Sequence, residues 1–439
     1  MVINKIFNTI NSLDNIGLIF ISPHLYSVGD FSEILMFGLI KAKHKNKKIF
    51  LLSPYDSNFL FGKRICNNEL LLLESKYIYK QSFIVSHFSK ILVTIMMLPS
   101  RWVDRLLNIF GKSLPEINVV PAVGNNELWA TDGEIRSGFS WEVVDKNDWL
   151  TKINYGYYDL SIDEYKSETS KGELKYLGIS SSSWYVCLHI RESGFKKDID
   201  RREYRNSNIL NYMPAIEEII KAGGTVVRMG DSTMTKLPKM KNLIDYPFTK
   251  YKSALMDLYL IKNCRFYIGT ESGIMSTSKL FFKDSLITNM VAWVGFTYPF
   301  MNRDRGIYKH VYSKLNSRFL TYNEIVLNTD WGMQNLFGYI DNNYDIVENT
   351  STDIKDAVIE YIDCLDSNDF SLTKKQLEVN KNRVNSFKEI YKKYRLTNYS
   401  YYLDVLIKYK YASAVNKDFH GAISESYLKK YLNTSFFVN

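Results

Sequence analysis

The sequence is poor in the residues that build metal sites and covalent staples. Four cysteines stand among 439 residues, at Cys66, Cys187, Cys264 and Cys364, and none is spaced from another, or from a histidine, as metal ligands are. That scatter excludes a zinc-ribbon or disulfide-framework protein and points to a reducing, cytoplasmic setting. Nine prolines and 22 glycines are too few for a fibrous chain, and no internal repeat or low-complexity tract is present, which excludes solenoids and long disordered tails. The stretch MVINKIFNTINSLDNIGLIFISP lacks the apolar run and small-residue cleavage site of a secretory leader, so it reads as mature protein. No uninterrupted apolar run reaches the roughly 20 residues that a spanning helix needs.

What is present is bulk. With 46% apolar and 15% aromatic residues the chain can bury a large core, and its length calls for two domains with an appendage. The net charge of +9 comes from lysines interleaved with acids. Such a balance suits a nucleotide diphosphate, an anionic membrane surface or a nucleic acid, and it equally suits an AT-rich coding sequence with no functional meaning. Neither an RNP-like run nor a helix-turn-helix pattern is found, so nucleic acid is not an expected partner.

The first organised unit is apolar Gly17 to Ser22, a polar turn, a helical run from about Phe31 to Lys43, and apolar Lys48 to Ser53. This is a β-α-β pattern. Its first turn carries His24 and Val28-Gly29-Asp30, at the carboxyl end of a strand, where open α/β sheets take ligands. Asp30, with Glu33 behind it, is a candidate base; it is also placed to be a helix N-cap with Glu33 as its capping-box partner. Residues 82–112 are apolar but interrupted by His87, Lys90, Pro99, Arg101, Asp104 and Arg105. They fit either an interfacial helix pair lying on a membrane or two core-facing amphipathic helices. The polar stretch SIDEYKSETSKGE reads as an interdomain linker.

The second domain opens with WYVCLHIR, a buried strand delivering His189 and Arg191 to its carboxyl end, ahead of a basic loop with Lys196, Lys197, Arg201, Arg202 and Arg205. A helix ends at Gly223-Gly224, a strand delivers Arg228, Gly230 and Asp231, and Leu255 to Lys262 forms a helix. A strand then runs into Gly269-Thr270-Glu271-Ser272-Gly273 and a helix from Ile274 to Phe281. The alternation predicts a parallel, doubly wound sheet. Carboxyl ends of neighbouring parallel strands share one edge, so these groups converge. Arginine forks pair with phosphate oxygens, and a Gly/Ser turn into a helix N-terminus offers N–H groups and dipole to an anion. A diphosphate fits this set better than any other ligand class. Each piece alone has a plain structural alternative, a surface salt bridge or an ordinary strand-helix turn.

These blocks, HIR, YRN before a helix ending in GG, VVRMGD, CRFYIGTESG and a later ITN, resemble a family of bacterial glycosyltransferases found in surface-polysaccharide gene sets. The likeness runs over about residues 185–300, with the tail GAISESYLKKYLN resembling the family's end and the first domain joining only through Val28-Gly29-Asp30. More distantly, the His-x-Arg strand end is similar to fucosyltransferase-like enzymes of the GT-B type. The resemblance implies an α/β fold with two Rossmann-like doubly wound domains (GT-B) and a helical C-terminal extension. Residues 1–175 would form the acceptor side, 176–345 the nucleotide-sugar donor side, and 346–439 an extension packing across both. It implies that Arg191 and His189 hold the donor phosphates and that Arg228, Gly230 and Asp231 line the same crevice. Asp257 would meet the nucleoside, Thr270, Glu271, Ser272 and Gly273 would cradle phosphate, and Asn289 would touch sugar or ribose. Asp257 also reads as a plain solvated helical residue.

Transfer from a nucleotide sugar to a glycan or lipid-linked glycan requires neutralising a departing nucleoside diphosphate, which arginines and a helix N-terminus can do without a metal. An inverting reaction also needs a base, for which His24, Asp30 and Glu33 are the candidates. No cofactor or metal is therefore expected, although Asp198-Ile199-Asp200 forms a DxD-like pair among basic neighbours. Two other readings share this pattern: a transferase using a CMP-activated acidic sugar, and a non-catalytic nucleotide-binding protein on the inner face of the cytoplasmic membrane. Helices are expected at Ile354 to Leu365 and Lys374 to Tyr394, and His420 reads as structural.

Overall fold

The computed structural model describes residues 17–21, 27–51, 66–80, 82, 84–85, 88, 119–120, 158–180, 182–195, 203–291, 301–327, 343–382 and 421–431. Of the sequence-level expectations, His24, the Asp198/Asp200 pair, Lys196, Lys197, Arg201, Arg202, His420 and most of 82–112 lie outside these residues.

In the first part, β1 (Leu18–Ile21), α1 (Val28–Lys45), β2 (Lys48–Leu51) and β3 (Val119–Val120) build a parallel sheet of order β2-β1-β3. In α1 the apolar side chains Phe31, Leu35, Met36, Leu39 and Ala42 recur every three or four residues and are all buried. The helix begins at Val28 with Ser27 as N-cap, so Asp30 is its third residue and not the cap. It ends at Asn46, left-handed at φ 49°, whose amide donates to the carbonyls of Ala42 and Lys43.

The stretch read as a linker is instead a helix, α2 (Glu164–Tyr176), with the Asp163 carboxylate accepting the amide of Lys166 at 3.2 Å. It lacks an apolar stripe, so periodicity could not reveal it. Its cap, the Lys166–Glu69 ion pair at 2.7 Å and the stacking of Tyr176 on Tyr251 at 6.0 Å hold it in place.

Next in the chain come β4 (Tyr185–His189), α3 (Met213–Lys221), β5 (Thr225–Arg228), β6 (Leu243–Asp245), α4 (Ala254–Asn263), β7 (Tyr267–Gly269), α5 (Gly273–Leu280), β8 (Ser285–Met290) and β9 (Arg305–Tyr308). After them follow β10 (His310–Ser313), β11 (Arg318–Phe319), α6 (Tyr322–Leu327), β12 (Tyr344–Val347), α7 (Ser351–Ser367), β13 (Ala422–Ile423) and α8 (Glu425–Tyr431). Seven strands form one wholly parallel sheet of order β13-β9-β8-β7-β4-β5-β6. Every residue of β4, β5, β7, β8 and β9 is buried, which explains why these strands read as continuous apolar runs. β11, β10 and β12 make a small antiparallel sheet.

The described part of the C-terminal extension builds onto this second sheet; the rest of the segment expected to pack across both domains lies outside the described residues. β13 pairs with β9, and α7, opened by a Thr350/Asp353 capping box, packs on α3. Glu360 on α7 accepts the amides of Glu425 and Ser426 at 2.8 Å each, fastening the start of α8. Between the sheets α1 lies along α5. A Cβ on Gly29 would stand 2.7 Å from the Gly273 Cα, so only glycine permits this approach, and the hydroxyls of Ser32 and Thr277 meet at 2.9 Å. Among the described residues no helix is long and apolar enough to cross a membrane.

Candidate functional site

From β6 to β9 the second sheet runs in the order third, second, first, fourth, fifth, sixth strand, counting from β4. This is the strand order of dinucleotide-binding sheets, and chain direction across the sheet reverses between β4 and β7. Ligands of such sheets sit outside the carboxyl ends of the two strands at that switch point. Here those ends are His189, leading to Arg191, and Gly269, leading to Thr270, Glu271, Ser272 and α5, with His189 in register with Gly269.

The sequence places several of its candidates at this point. The Thr270 hydroxyl accepts the Arg191 amide at 2.9 Å, and the Thr270 amide donates to the His189 carbonyl at 3.1 Å, tying the two strand ends together. The Arg191 guanidinium donates to the Asn206 side chain. Glu271 is buried, its carboxylate accepting the amide of Val291 at 2.8 Å and its carbonyl accepting Arg205 Nη2 at 3.0 Å. Ser272 is the N-cap of α5 but gives no side-chain cap bond, and the amides of Gly273 and Ile274 have no acceptor among the described residues. The first turn of α5 thus keeps unpaired donors at the positive end of the helix dipole. The N-terminus of α1 abuts it through Gly29, with Asp30 and Glu33 on the opening turns of that helix.

His189 is buried and its Nδ1 has no hydrogen-bond partner. Burial, reinforced by the Arg228 charge, holds its pKa down to about 3, so it is a neutral imidazole near pH 7. It can orient or donate to an anion but brings no charge.

Five other candidates are engaged in contacts within the protein. Arg228 is fully buried, giving Nη1 to Asp245 at 2.8 Å and Nη2 to Glu192 and the Thr235 carbonyl at 2.9 Å each. It stitches the loops beyond β4 and β5 and does not present a fork to the crevice. Gly230, at φ 142°, lets the chain turn over Met234, whose Sδ a Cβ would strike at 2.0 Å, and Asp231 accepts the amide and hydroxyl of Thr233 at 2.8 and 2.6 Å. Asp257 is ion-paired with Lys252 at the start of α4. Asn289, left-handed at φ 51°, exchanges bonds with Asn349, each amide donating to the other's side-chain oxygen at 2.7 Å, and donates Nδ2 to Tyr212 at 2.9 Å. Its amide is a structural clasp.

Two basic residues at the crevice were not among the candidates drawn from the sequence. Arg205 was counted only with the basic loop, and Lys309, between β9 and β10, was passed over. A lysine inside the apolar run RGIYKHVYS was the available signal. Lys309 is buried, and burial is the main cause that brings its pKa down to about 8. No group of three His, Cys, Asp or Glu among the described residues could hold a metal ion.

The fold and this cluster define an α/β protein whose second sheet gathers basic residues and a helix N-terminus at its switch point. No family model and no curated protein matches the chain. Solved structures resemble it loosely, among them two transferases. One is the glycosyl transferase family 9 protein of Veillonella parvula DSM 2008, at 12% identity and a TM-score of 0.41, over 80% of this chain and 97% of that one. The other is the ADP-heptose LPS heptosyltransferase II of E. coli, at 11% identity and a TM-score of 0.35, over 66% and 89%. Likenesses this distant leave the chemistry to be argued from the residues.

Proposed function

We propose that the protein is a GT-B-type glycosyltransferase that moves a sugar from a nucleotide-activated donor onto a growing bacterial surface glycan carried on a lipid. The observation that carries this reading is the meeting of Arg191, Arg205, Thr270 and the α5 N-terminus at the reversal point of a nucleotide-binding strand order. When the sugar leaves, negative charge grows on the diphosphate. Two arginines and unpaired helix amides fixed beforehand stabilise that charge most where it is greatest, in the transition state, and no metal is needed for it. Neutral His189 adds a hydrogen bond without adding charge. Asp30 and Glu33, on the helix that abuts α5, and His24 in the turn before it are the candidate bases for the acceptor hydroxyl. The protein would work in the cytoplasm against the inner membrane face. Ile84 and Phe88, 64% and 70% exposed, lie in the apolar segment 82–112 that this reading would set against the membrane.

The test is a thermal-shift screen of the full chain against GDP, UDP, dTDP, CMP and their common sugar conjugates, with Arg191→Ala beside it. Stabilisation by one diphosphate, with affinity reduced roughly tenfold or more in the mutant, is the expected result. A response to CMP alone would transfer the site to acidic-sugar donors, and no response to any would refute it.

A further inference from the structure

The site's two arginines approach from different directions, Arg191 from the end of β4 and Arg205 from the short 3-10 turn Glu203–Arg205. That turn is bound on three sides. Its Asn206 side chain accepts the Arg191 guanidinium, Arg205 reaches Glu271 across the switch point, and the Ser207 amide donates to the Arg191 carbonyl at 3.0 Å. A further attachment is Lys309, whose Nζ donates to the carbonyl of Tyr204 at 3.1 Å and to that of Asn206. The two clamped carbonyls flank Arg205 in the sequence, and the second belongs to the residue that holds Arg191. An ammonium buried at this depth is costly unless its donors are satisfied, and a lysine embedded between two buried strands has little freedom to move.

Resting on the proposed diphosphate site, we infer that Lys309 is its positioning residue: by clamping the carbonyls of Tyr204 and Asn206 it sets Arg191 and Arg205 at the spacing that grips a diphosphate. Lys309 acts through Asn206 on Arg191 and through the turn on Arg205. The charged groups facing it are Arg191, Glu271 and Glu348. Its third N–H has no acceptor among the described residues. Loss of its proton above about pH 8 leaves a weaker clamp.

The experiment measures affinity for inorganic pyrophosphate, and for GDP, UDP and dTDP, by calorimetry on the full chain. The proteins are wild type, Lys309→Met, Lys309→Arg, Asn206→Ala and the Lys309→Met/Asn206→Ala double variant. Lys309→Met should weaken binding ~tenfold, Asn206→Ala, which reaches Arg191 alone, should weaken it by less, and the double variant should be little worse than Lys309→Met, because the Asn206 contact is one of the two routes by which Lys309 acts. Lys309→Arg, which keeps its charge at every pH used, should bind within about threefold of wild type and should lose the decline in affinity that wild type shows between pH 7 and 9. Unchanged binding by Lys309→Met or Asn206→Ala would overturn the inference while leaving the site intact. If Lys309→Met does not fold, Lys309→Arg decides: a decline in affinity between pH 7 and 9 that is the same in Lys309→Arg as in wild type, or absent from wild type, overturns the inference. Wild type that binds no diphosphate would bring down the site and the inference together.

Discussion

Arg191 and Arg228 leave adjacent strands at the same edge, and in the sequence they look interchangeable. Burial separates them: Arg228 is enclosed between Glu192 and Asp245, while Arg191 is only half-buried at the switch point. Arg228→Ala should therefore be a stability mutant, leaving two carboxylates without their cation. Because both carboxylates keep some solvent contact, we expect about 3 kcal/mol from urea unfolding, the lower end for breaking a buried pair. His189 supplies a second prediction. Its pKa is lower folded than unfolded, so the unfolded chain binds more protons between about pH 3 and 6.5. The stability this contributes is complete above pH 6.5 and is lost as pH falls towards 3, at a slope of up to ~1.4 kcal/mol per pH unit. His310, held down to about 4, adds to the same acid loss, so His189→Gln should flatten only part of the profile of melting temperature against pH.

Among elements, the strands of the second sheet were legible because most are apolar runs between turn signals, and α3 because its apolar residues recur at helical spacing. What stayed hidden has physical causes. α2 shows no stripe, since it is held by a cap and a few side-chain contacts and not by a buried face. Arg228 and Asn289 sit where a ligand contact would sit, and their partners within the protein, at the end of β6 and in the turn before α7, lie 17 and 60 residues away, beyond the reach of a local pattern. Lys309 acts on a turn more than a hundred residues earlier, a relation no local pattern encodes. The α1–α5 contact was legible only as glycines at 29 and 273, with no sign that they touch. Gly29→Ala should push the two helices apart at their N-termini and cost ~1–3 kcal/mol, read by thermal unfolding, whereas Gly172→Ala, a glycine with open space around it, should not.

For the whole molecule, the described part of the C-terminal segment belongs to the body built on the seven-stranded sheet. Ala422 and Ile423 cover the edge of β9, the Tyr427 hydroxyl donates to the Tyr308 carbonyl at 2.9 Å, and Gln376 donates to the Ile423 carbonyl at 2.8 Å. A chain ending at residue 420 should expose the β9 edge and the buried face of α7, and should sediment or aggregate on expression at 37 °C while the full chain remains dispersed. The order of synthesis gives this arrangement a further meaning. β9 leaves the ribosome well over a hundred residues before β13, a wait on the order of ten seconds at typical elongation rates. During that interval the nascent sheet has a bare margin, so an interrupted message yields a product whose incompleteness is written on its surface, open to proteolysis before the sheet is closed.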